Sequence, residues 1–305
     1  MIIVIGGANV DISGVPMTNT LIFKDSNPGK VIMGLGGVGR NIGENLCWLG
    51  QETCFLGVVG GDDYGEYIIK ESSKSGLNMS NVKRVEDRLS AVYVCILDET
   101  GDMAVAVCET GITDEINQQY IKKMAQIFNK AELLIIDGNL KENQIGWIVD
   151  SFKQVPILYD PVSSAKAING KKFVGRFHSI KPNRLEAEVL AGFSIQSEED
   201  LAKACQLFHS WGTKEVYISM GLDGTYYSDG QVSGKIKAGK ATVVNATGAG
   251  DAFVAGIAYG IVNGFNIEKT TIFATLCARE TVKCEKAITK LDANRIIKEI
   301  NHDTH

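Results

Sequence analysis

Proline is scarce in this chain, five in 305 residues, and histidine scarcer still: four, with His302 and His305 in the last four positions. The seven cysteines, at 47, 54, 95, 108, 205, 277 and 284, are scattered and never form a C-x-x-C pair. A His/Cys metal centre has no constellation to stand on, and the thiols read as reduced core residues. Neither charge sign forms a long run. The 31 basic and 36 acidic residues leave −5, without the basic face of a nucleic-acid binder. No apolar run reaches the roughly 18 residues that span a bilayer; the longest uncharged helical stretch, 252–266, is interrupted by Gly256, Gly260, Asn263 and Gly264. The opening residues, MIIVIGGANVD, show no basic n-region and no cleavage site. The expectation is a soluble cytoplasmic protein with no nucleic-acid or membrane partner.

What is present is an apolar core and much glycine: 45% hydrophobic residues, 22% charged, and 33 glycines. Such a chain is ordered and has many tight turns or close backbone approaches. A β-branched run at 2–5 ending in Gly6-Gly7 suits a strand buried on both faces. From 115 onward strands and helices alternate: helix 115–130, strand 133–136, helix 142–152, strand 157–159, strand 179–181, helix 184–190, helix 198–211, strand 215–219. A late hairpin begins at 224–228, and helices near 250–263, 268–284 and 292–301 close the chain. This rhythm predicts a parallel sheet wrapped by helices. Earlier come a helix at 39–49, a strand at 53–59 and a helix at 65–75. Two hairpins, about 12–33 and 88–108 (the second turning at 98–102), break the rhythm and are expected to form a small lid on a single domain spanning 1–305.

Gly34-Leu-Gly36-Gly37-Val-Gly39 satisfies G-x-G-x-x-G. A dinucleotide site also needs a preceding parallel strand and an acidic residue ending the next one; here a hairpin precedes, and the next strand ends in Val58-Val59-Gly60. The better reading is backbone at Gly36-Gly37 approaching a small polar molecule, with Asn41 one turn into the helix hydrogen-bonding hydroxyls. No P-loop sequence occurs. At Thr247-Gly248-Ala249-Gly250-Asp251 small residues run into an apolar helix, so outward N–H groups of 248–250 suit an anion. Asp251 there is either an N-cap or a base taking a hydroxyl proton while those amides hold charge. Asp11 is a turn residue or a carboxylate for sugar hydroxyls. Glu186, in Asn183-Arg-Leu-Glu186, complements a helix dipole or holds hydrated Mg²⁺. Ser219-Met-Gly221-Leu-Asp223-Gly224 is a hairpin entry or a glycine shelf for a nucleotide.

In this order the motifs resemble the ribokinase-like (PfkB) carbohydrate kinases over nearly the whole chain. Gly36-Gly37-x-Gly39-x-Asn41 matches the family's first signature and Thr247-Gly-Ala-Gly250-Asp251 its second, with Asn183-x-x-Glu186 between. Gly7-Ala-Asn-Val-Asp11, Asp25-Ser-Asn-Pro-Gly-Lys30, Asp160-Pro-Val-Ser163, Lys181-Pro-Asn-Arg-Leu-Glu186 and Tyr226-Tyr-Ser-Asp229 narrow the likeness to members acting on pseudouridine. The resemblance implies a three-layer α/β sandwich with a mostly parallel central sheet and a small β-sheet lid, and transfer from ATP to the ribose 5′-hydroxyl. It makes Asp251 the general base and Gly248, Ala249 and Gly250 the anion hole. Asp11, Gly37, Asn41 and Asn139 hold the ribose. Asn183, Ser219, Gly221 and Gly224 line the nucleotide side, Glu186 stands near Mg²⁺, and the lid pairs two copies into a homodimer. Many relatives place Asp where Asn245 stands, near a K⁺ site that activates them, and 283–287 lacks the glycine common in ribokinases, so K⁺ is left open as a further cofactor. Ser13, Ser90, Thr110 and Lys166 are candidates for base or lid contacts. Another nucleoside or sugar kinase, a ligand sensor without catalysis, and a dehydrogenase resting on 34–39 alone remain as alternatives.

Overall fold

The computed structural model describes residues 1–17, 21–98 and 103–302. Its strands are β1 (Ile2–Ile5), β2 (Asn9–Pro16), β3 (Gly29–Gly36), β4 (Thr53–Leu56), β5 (Val58–Gly60), β6 (Lys83–Val85), β7 (Val92–Leu97), β8 (Met103–Glu109), β9 (Leu133–Asp137), β10 (Ile157–Asp160), β11 (Ser179–Ile180), β12 (Glu215–Ser219), β13 (Thr225–Ser228) and β14 (Ser233–Ile236). Its helices are α1 (Val38–Trp48), α2 (Asp63–Ser73), α3 (Gln118–Lys123), α4 (Ala125–Phe128), α5 (Glu142–Ser151), α6 (Ser164–Gly170), α7 (Arg184–Ala191), α8 (Glu198–Trp211), α9 (Ala249–Val262), α10 (Ile267–Thr281) and α11 (Ala293–His302).

Eight strands form the central sheet in the order β14-β13-β12-β11-β10-β9-β1-β4. Pairing is parallel from β4 to β12 and antiparallel at the β12-β13-β14 edge. Alternate side chains of one strand feed different cores. Ile3, Ile5, Leu134 and Ile136 join one cluster with α5, α7 and α8, whereas Ile2, Val4, Leu133 and Ile135 join another with α1, α9 and α10. Continuously apolar strands follow from being covered on both sides. The result is a helix–sheet–helix sandwich.

A second sheet has the order β3-β2-β7-β8. Each hairpin is antiparallel, and the two join through parallel β2–β7 pairing. The expected hairpins at 12–33 and 88–108 are these, with β2 starting at Asn9 and β7 only at Val92; the turn expected at 98–102 lies mostly outside the described residues. Because β3 belongs to this sheet, Gly34–Gly39 does not open a βαβ unit, which removes the dinucleotide reading.

Two expectations need correcting, and one element was not expected. The strand 53–59 is two strands in different sheets: the chain turns at Gly57, whose carbonyl accepts from Lys83 N–H at 2.9 Å, and β5 pairs with β6. The helix expected at 115–130 is instead two short helices, α3 and α4, preceded by a 3₁₀ turn at Gly111–Glu115; α3 begins only where the Asn117 side chain accepts from Tyr120 N–H at 3.0 Å. Helix α6 had no counterpart in the sequence reading. Among the described residues no helix is long and apolar enough to cross a membrane.

Candidate active site

The carboxyl ends of β1, β9, β10, β11 and β12 bring together Gly6-Gly7, Asp137, Asp160, Lys181 and Ser219, and the N-termini of α1 and α9 converge on the same end. Ligands of open α/β sheets sit at this end.

On one side the polar groups are side chains locked by hydrogen bonds. Asp11 on β2 is half-buried; its Oδ1 accepts from Asn9 Nδ2 at 2.5 Å, and burial pushes its carboxyl up. The carboxylate lies against Gly36, where a Cβ would overlap it. Gly37 caps α1 at φ 96°, with Ala8 Cα only 2.5 Å from where its Cβ would be, so both backbone and space demand glycine. Asp137, fully buried, draws three segments together. Its Oδ2 accepts from Gly7 N–H (2.9 Å) and Gly39 N–H (2.8 Å), and its Oδ1 from Asn139 N–H (2.9 Å). Burial, and to a lesser extent Asp160, raises its carboxyl, while the hydrogen bonds from Gly7 and Asn139 oppose the rise. Asn139 is half-buried, its Oδ1 accepting from Lys166 Nζ at 2.6 Å.

Asp251 stands in the first turn of α9, 8% exposed. Its Oδ2 accepts from Asn41 Nδ2 at 2.7 Å, joining α1 to α9. Burial pushes its carboxyl up to about 7; Asp160 and Asp137 push the same way, Asn41 and Lys181 oppose. Gly248, at φ 82°, caps α9 with no side-chain hydrogen bond, and a Cβ there would run into the Ala287 carbonyl. First-turn N–H groups have no intrahelical acceptor. Of these, Ala249 N–H reaches back to the Ala246 carbonyl at 3.4 Å, and Gly250 is exposed. Lys181 Nζ lies 3.4 Å from the position of a Cβ on Gly250 and 3.6 Å from Asp160 Oδ2. Burial disfavours its charge, but Asp160, Glu186 and Asp251 outweigh that and hold its ammonium above the usual lysine range.

On the other side backbone predominates. Asn183 and Ser219 form a parallel bridge, and Ser219 N–H donates to the Pro182 carbonyl at 3.0 Å. Gly221 (φ 59°) and Gly224 (φ 91°) turn the chain out of β12. Asn183 and Glu186 form a reciprocal capping box: Asn183 Oδ1 accepts from Glu186 N–H, and the Glu186 carboxylate accepts from Asn183 N–H and Nδ2, all at 2.8–2.9 Å. Asn245 Nδ2 donates to the Glu285 carbonyl at 2.9 Å and its Oδ1 accepts from Thr247 N–H at 2.8 Å, shaping the approach to Gly248.

The structure thus gathers Asp11, Gly37, Asn41, Asn139, Asp251 and the 248–250 turn, with Asn183, Glu186, Ser219, Gly221 and Gly224 along neighbouring strand ends. Of the weaker candidates Lys166 joins them through Asn139. Ser13 lies on the small sheet, its Oγ 3.2 Å from Cys95 Sγ. Ser90 is a brace instead: its Oγ donates to Asp62 Oδ1 at 2.6 Å and accepts from Gly60 N–H at 2.9 Å. The carbonyl of Thr110 accepts from Thr113 in a 3₁₀ turn. Roles for Arg40, Asp137, Asp160 and Lys181 were missed; the one available signal was that Asp137, Asp160 and Lys181 each end or follow a buried strand.

The family model described as "pfkB family carbohydrate kinase" matches residues 1–294. The chain is 37% identical over 285 residues to the pseudouridine kinase of Escherichia coli K12, covering 93% of this chain and 91% of that one. A crystal structure from Clostridium perfringens, 36% identical, superposes with a TM-score of 0.87 over 99% of this chain and 95% of its own. The ribokinase of Arabidopsis thaliana, solved with ribose and ATP, shares the fold at 22% identity, with a TM-score of 0.85 over 97% of each chain.

Proposed function

The chain belongs to the pfkB family of carbohydrate kinases, phosphotransferases with an alcohol acceptor, and we propose that it transfers the γ-phosphoryl group of ATP to the 5′-hydroxyl of pseudouridine. The observation carrying the chemistry is the buried Asp251 carboxylate, held by Asn41 at 2.7 Å beside the free end of α9. The 37% identity to a pseudouridine kinase over 93% of the chain supports the choice of acceptor.

Phosphoryl transfer leaves little covalent work to the protein beyond positioning and charge stabilisation. Asp251 accepts the 5′-hydroxyl proton as that oxygen attacks. With a carboxyl near 7 it is a stronger base than an ordinary aspartate, and it is ionised above that pH. At the positive end of α9 the N–H groups of Gly248 and Gly250, with that of Ala249 on exchanging its long 3.4 Å bond to the Ala246 carbonyl, face charge developing on the transferred group. Asp11, Gly37, Asn41 and Asn139 hold the ribose. Asn183, Ser219, Gly221 and Gly224 line the nucleotide. Among the described residues no group of three or more His, Cys, Asp or Glu can hold a metal. Magnesium bound through one carboxylate, water and phosphate oxygens needs no such group. The hard oxygens of the buried Glu186 suit it, and it would neutralise phosphate charge there.

The small sheet serves as the lid of this single-domain kinase, shielding the site from water. Register puts Met33, Ile12, Val94 and Val107 in one row across it and Val31, Ile96 and Val105 in the next; Val31 and Val107 are each more than two-thirds exposed. A second copy of the chain pairs there in a homodimer. The seven free cysteines suit the reducing cytoplasm.

Coupled ATP turnover with pseudouridine, uridine, ribose and adenosine tests the reading. Pseudouridine is expected to give the highest kcat/KM, because its free N1–H offers a donor that uridine lacks and a pocket acceptor left unpaired is costly. Equal turnover of uridine, or preference for ribose or adenosine, replaces it with another kinase of the family. Binding without ATP consumption overturns catalysis.

A further inference from the structure

We propose that Arg40 is a positioning residue for the transfer: its guanidinium fixes which way the Asn41 amide faces, and through Asn41 it aims the Asp251 carboxylate. The proposal rests on Asp251 being the base.

An asparagine amide has two nearly isosteric ends, one accepting and one donating. For Asn41 to donate to Asp251 Oδ2, its Oδ1 must point elsewhere, and it points at Arg40 Nη2. A guanidinium only donates. The flipped amide would therefore set an NH₂ against a cation and a carbonyl against a carboxylate.

Arg40 can hold that choice because it is itself immobilised. It is 1% exposed, the largest fully buried side chain among the described residues. Its Nε donates to the Gly36 carbonyl (2.9 Å), its Nη2 also to the Leu35 carbonyl (3.1 Å), and its Nη1 to Glu44 Oε2 (2.5 Å) one turn along α1. A buried arginine is costly unless its donors are matched. Four distinct acceptors match this one, and they come from the end of β3, from α1 and from the Asn41 side chain. The hydrogen-bonded series Glu44–Arg40–Asn41–Asp251 thereby links the last residues of the small sheet to the carboxylate on α9.

The charge acts in the same direction. Asp251 faces Arg40 and Asn41 from α1, Asp137 from the end of β9, Asp160 from the end of β10 and Lys181 from beyond β11; Arg40 also faces Asp11 and Glu44. Burial works to strip the guanidinium of its proton, and Glu44, Asp251 and Asp11 resist that.

A double-mutant cycle on kcat, with the best acceptor of the nucleoside and sugar panel, tests the inference. Arg40→Lys keeps the charge but cannot span the four acceptors; it is expected to lower kcat about 10- to 100-fold, as is Asn41→Ala, with KM for ATP nearly unchanged. The double variant should match Asn41→Ala alone, because Arg40 acts through Asn41. Arg40→Met, which removes the cation, should also move the acid limb of the kcat profile to higher pH, whereas Arg40→Lys should leave it in place. Losses that multiply in the double variant, a kcat for Arg40→Lys near wild type, or an unmoved limb in Arg40→Met overturn the proposal. Should the Arg40 variants not fold, Glu44→Gln enters the same cycle. A several-fold loss that vanishes on the Asn41→Ala background is expected; a loss that persists there, or no loss at all, overturns it. Asp251→Asn with most of the wild-type kcat would sink the base assignment itself, whatever the cycle shows.

Discussion

The two sides of the strand-end cleft are built differently. On the proposed acceptor side Asp11, Arg40, Asn41, Asp137 and Asn139 are buried or half-buried side chains, each held by another side chain or a backbone N–H group. On the proposed nucleotide side the chain presents turns at Gly221 and Gly224 and the first peptides of α9, with Thr247, Gly250 and Gly221 exposed. Locked, desolvated polar groups discriminate, because a wrong ligand leaves one of them unpaired. Peptides at a helix end attract any phosphate. On the proposed reading, selectivity is concentrated on one side of the cleft and phosphate binding on the other.

Asp251 lies where the two sides meet, and removing its charge is the most severe way to break the comparison. Asp251→Asn is expected to lower kcat by roughly 10²–10⁴ while acceptor binding stays nearly intact. Steady-state kinetics and calorimetric binding read the two separately, and a variant above half of wild-type kcat removes the role. In the wild-type enzyme, kcat should fall as pH drops through about 7, where the carboxylate takes up its proton.

A milder break confines damage to the acceptor side. Gly36→Ala puts a methyl group where the Asp11 carboxylate lies. It is expected to raise KM for the acceptor about 10- to 100-fold with KM for ATP unchanged, since losing a charge-assisted contact costs on the order of 1.5–3 kcal/mol. If KM for ATP rises in step, the two sides are not independent.

The same contrast separates what was legible in the sequence from what was not. Local chemistry was legible. Helix α8 falls at 198–211 as expected, between the Ser197–Asp200 capping box and Gly212, and the central strands announced themselves as apolar runs. The turns at 247–251 and 221–224 were also visible, because a tight turn needs only neighbouring small residues. Contacts between distant segments were not. Asp137 lies 130 positions from Gly7 and 98 from Gly39. Asn41 lies 210 positions from Asp251, and nothing local in 36–41 says that Arg40 turns inward. The break at Gly57 was hidden for a related reason: after Thr53 the stretch to Val59 carries no polar side chain, and only pairing with β6 shows that its halves serve different sheets.

Stability gives a third, smaller test. The Asp251 carboxyl is raised from 3.8 in the ordinary state to about 7 in the fold. The folded chain therefore holds this proton more tightly than the unfolded one, and stability is lost as pH climbs from about 4 through 7. At pH 8 the ionised group costs on the order of 2–4 kcal/mol. Asp251→Asn keeps an oxygen for Asn41 and loses the charge, so it should raise Tm by several degrees at pH 8 and by much less at pH 5. Equal shifts at both pH values would place the benefit in packing rather than ionisation.

The smallest effect sharpens the nucleotide side. Gly221 sits at φ 59° with nothing near enough to meet a Cβ, so alanine there meets backbone strain alone, about 1–2 kcal/mol. Gly221→Ala is expected to raise KM for ATP about 2- to 10-fold and to leave KM for the acceptor unchanged. Asparagine adopts this backbone conformation more readily than alanine, so Gly221→Asn should recover most of the loss. If both variants bind ATP equally poorly, the glycine is needed for contact with the nucleotide rather than for the turn, and the surface there is closer to the side-chain-lined half than its backbone suggests.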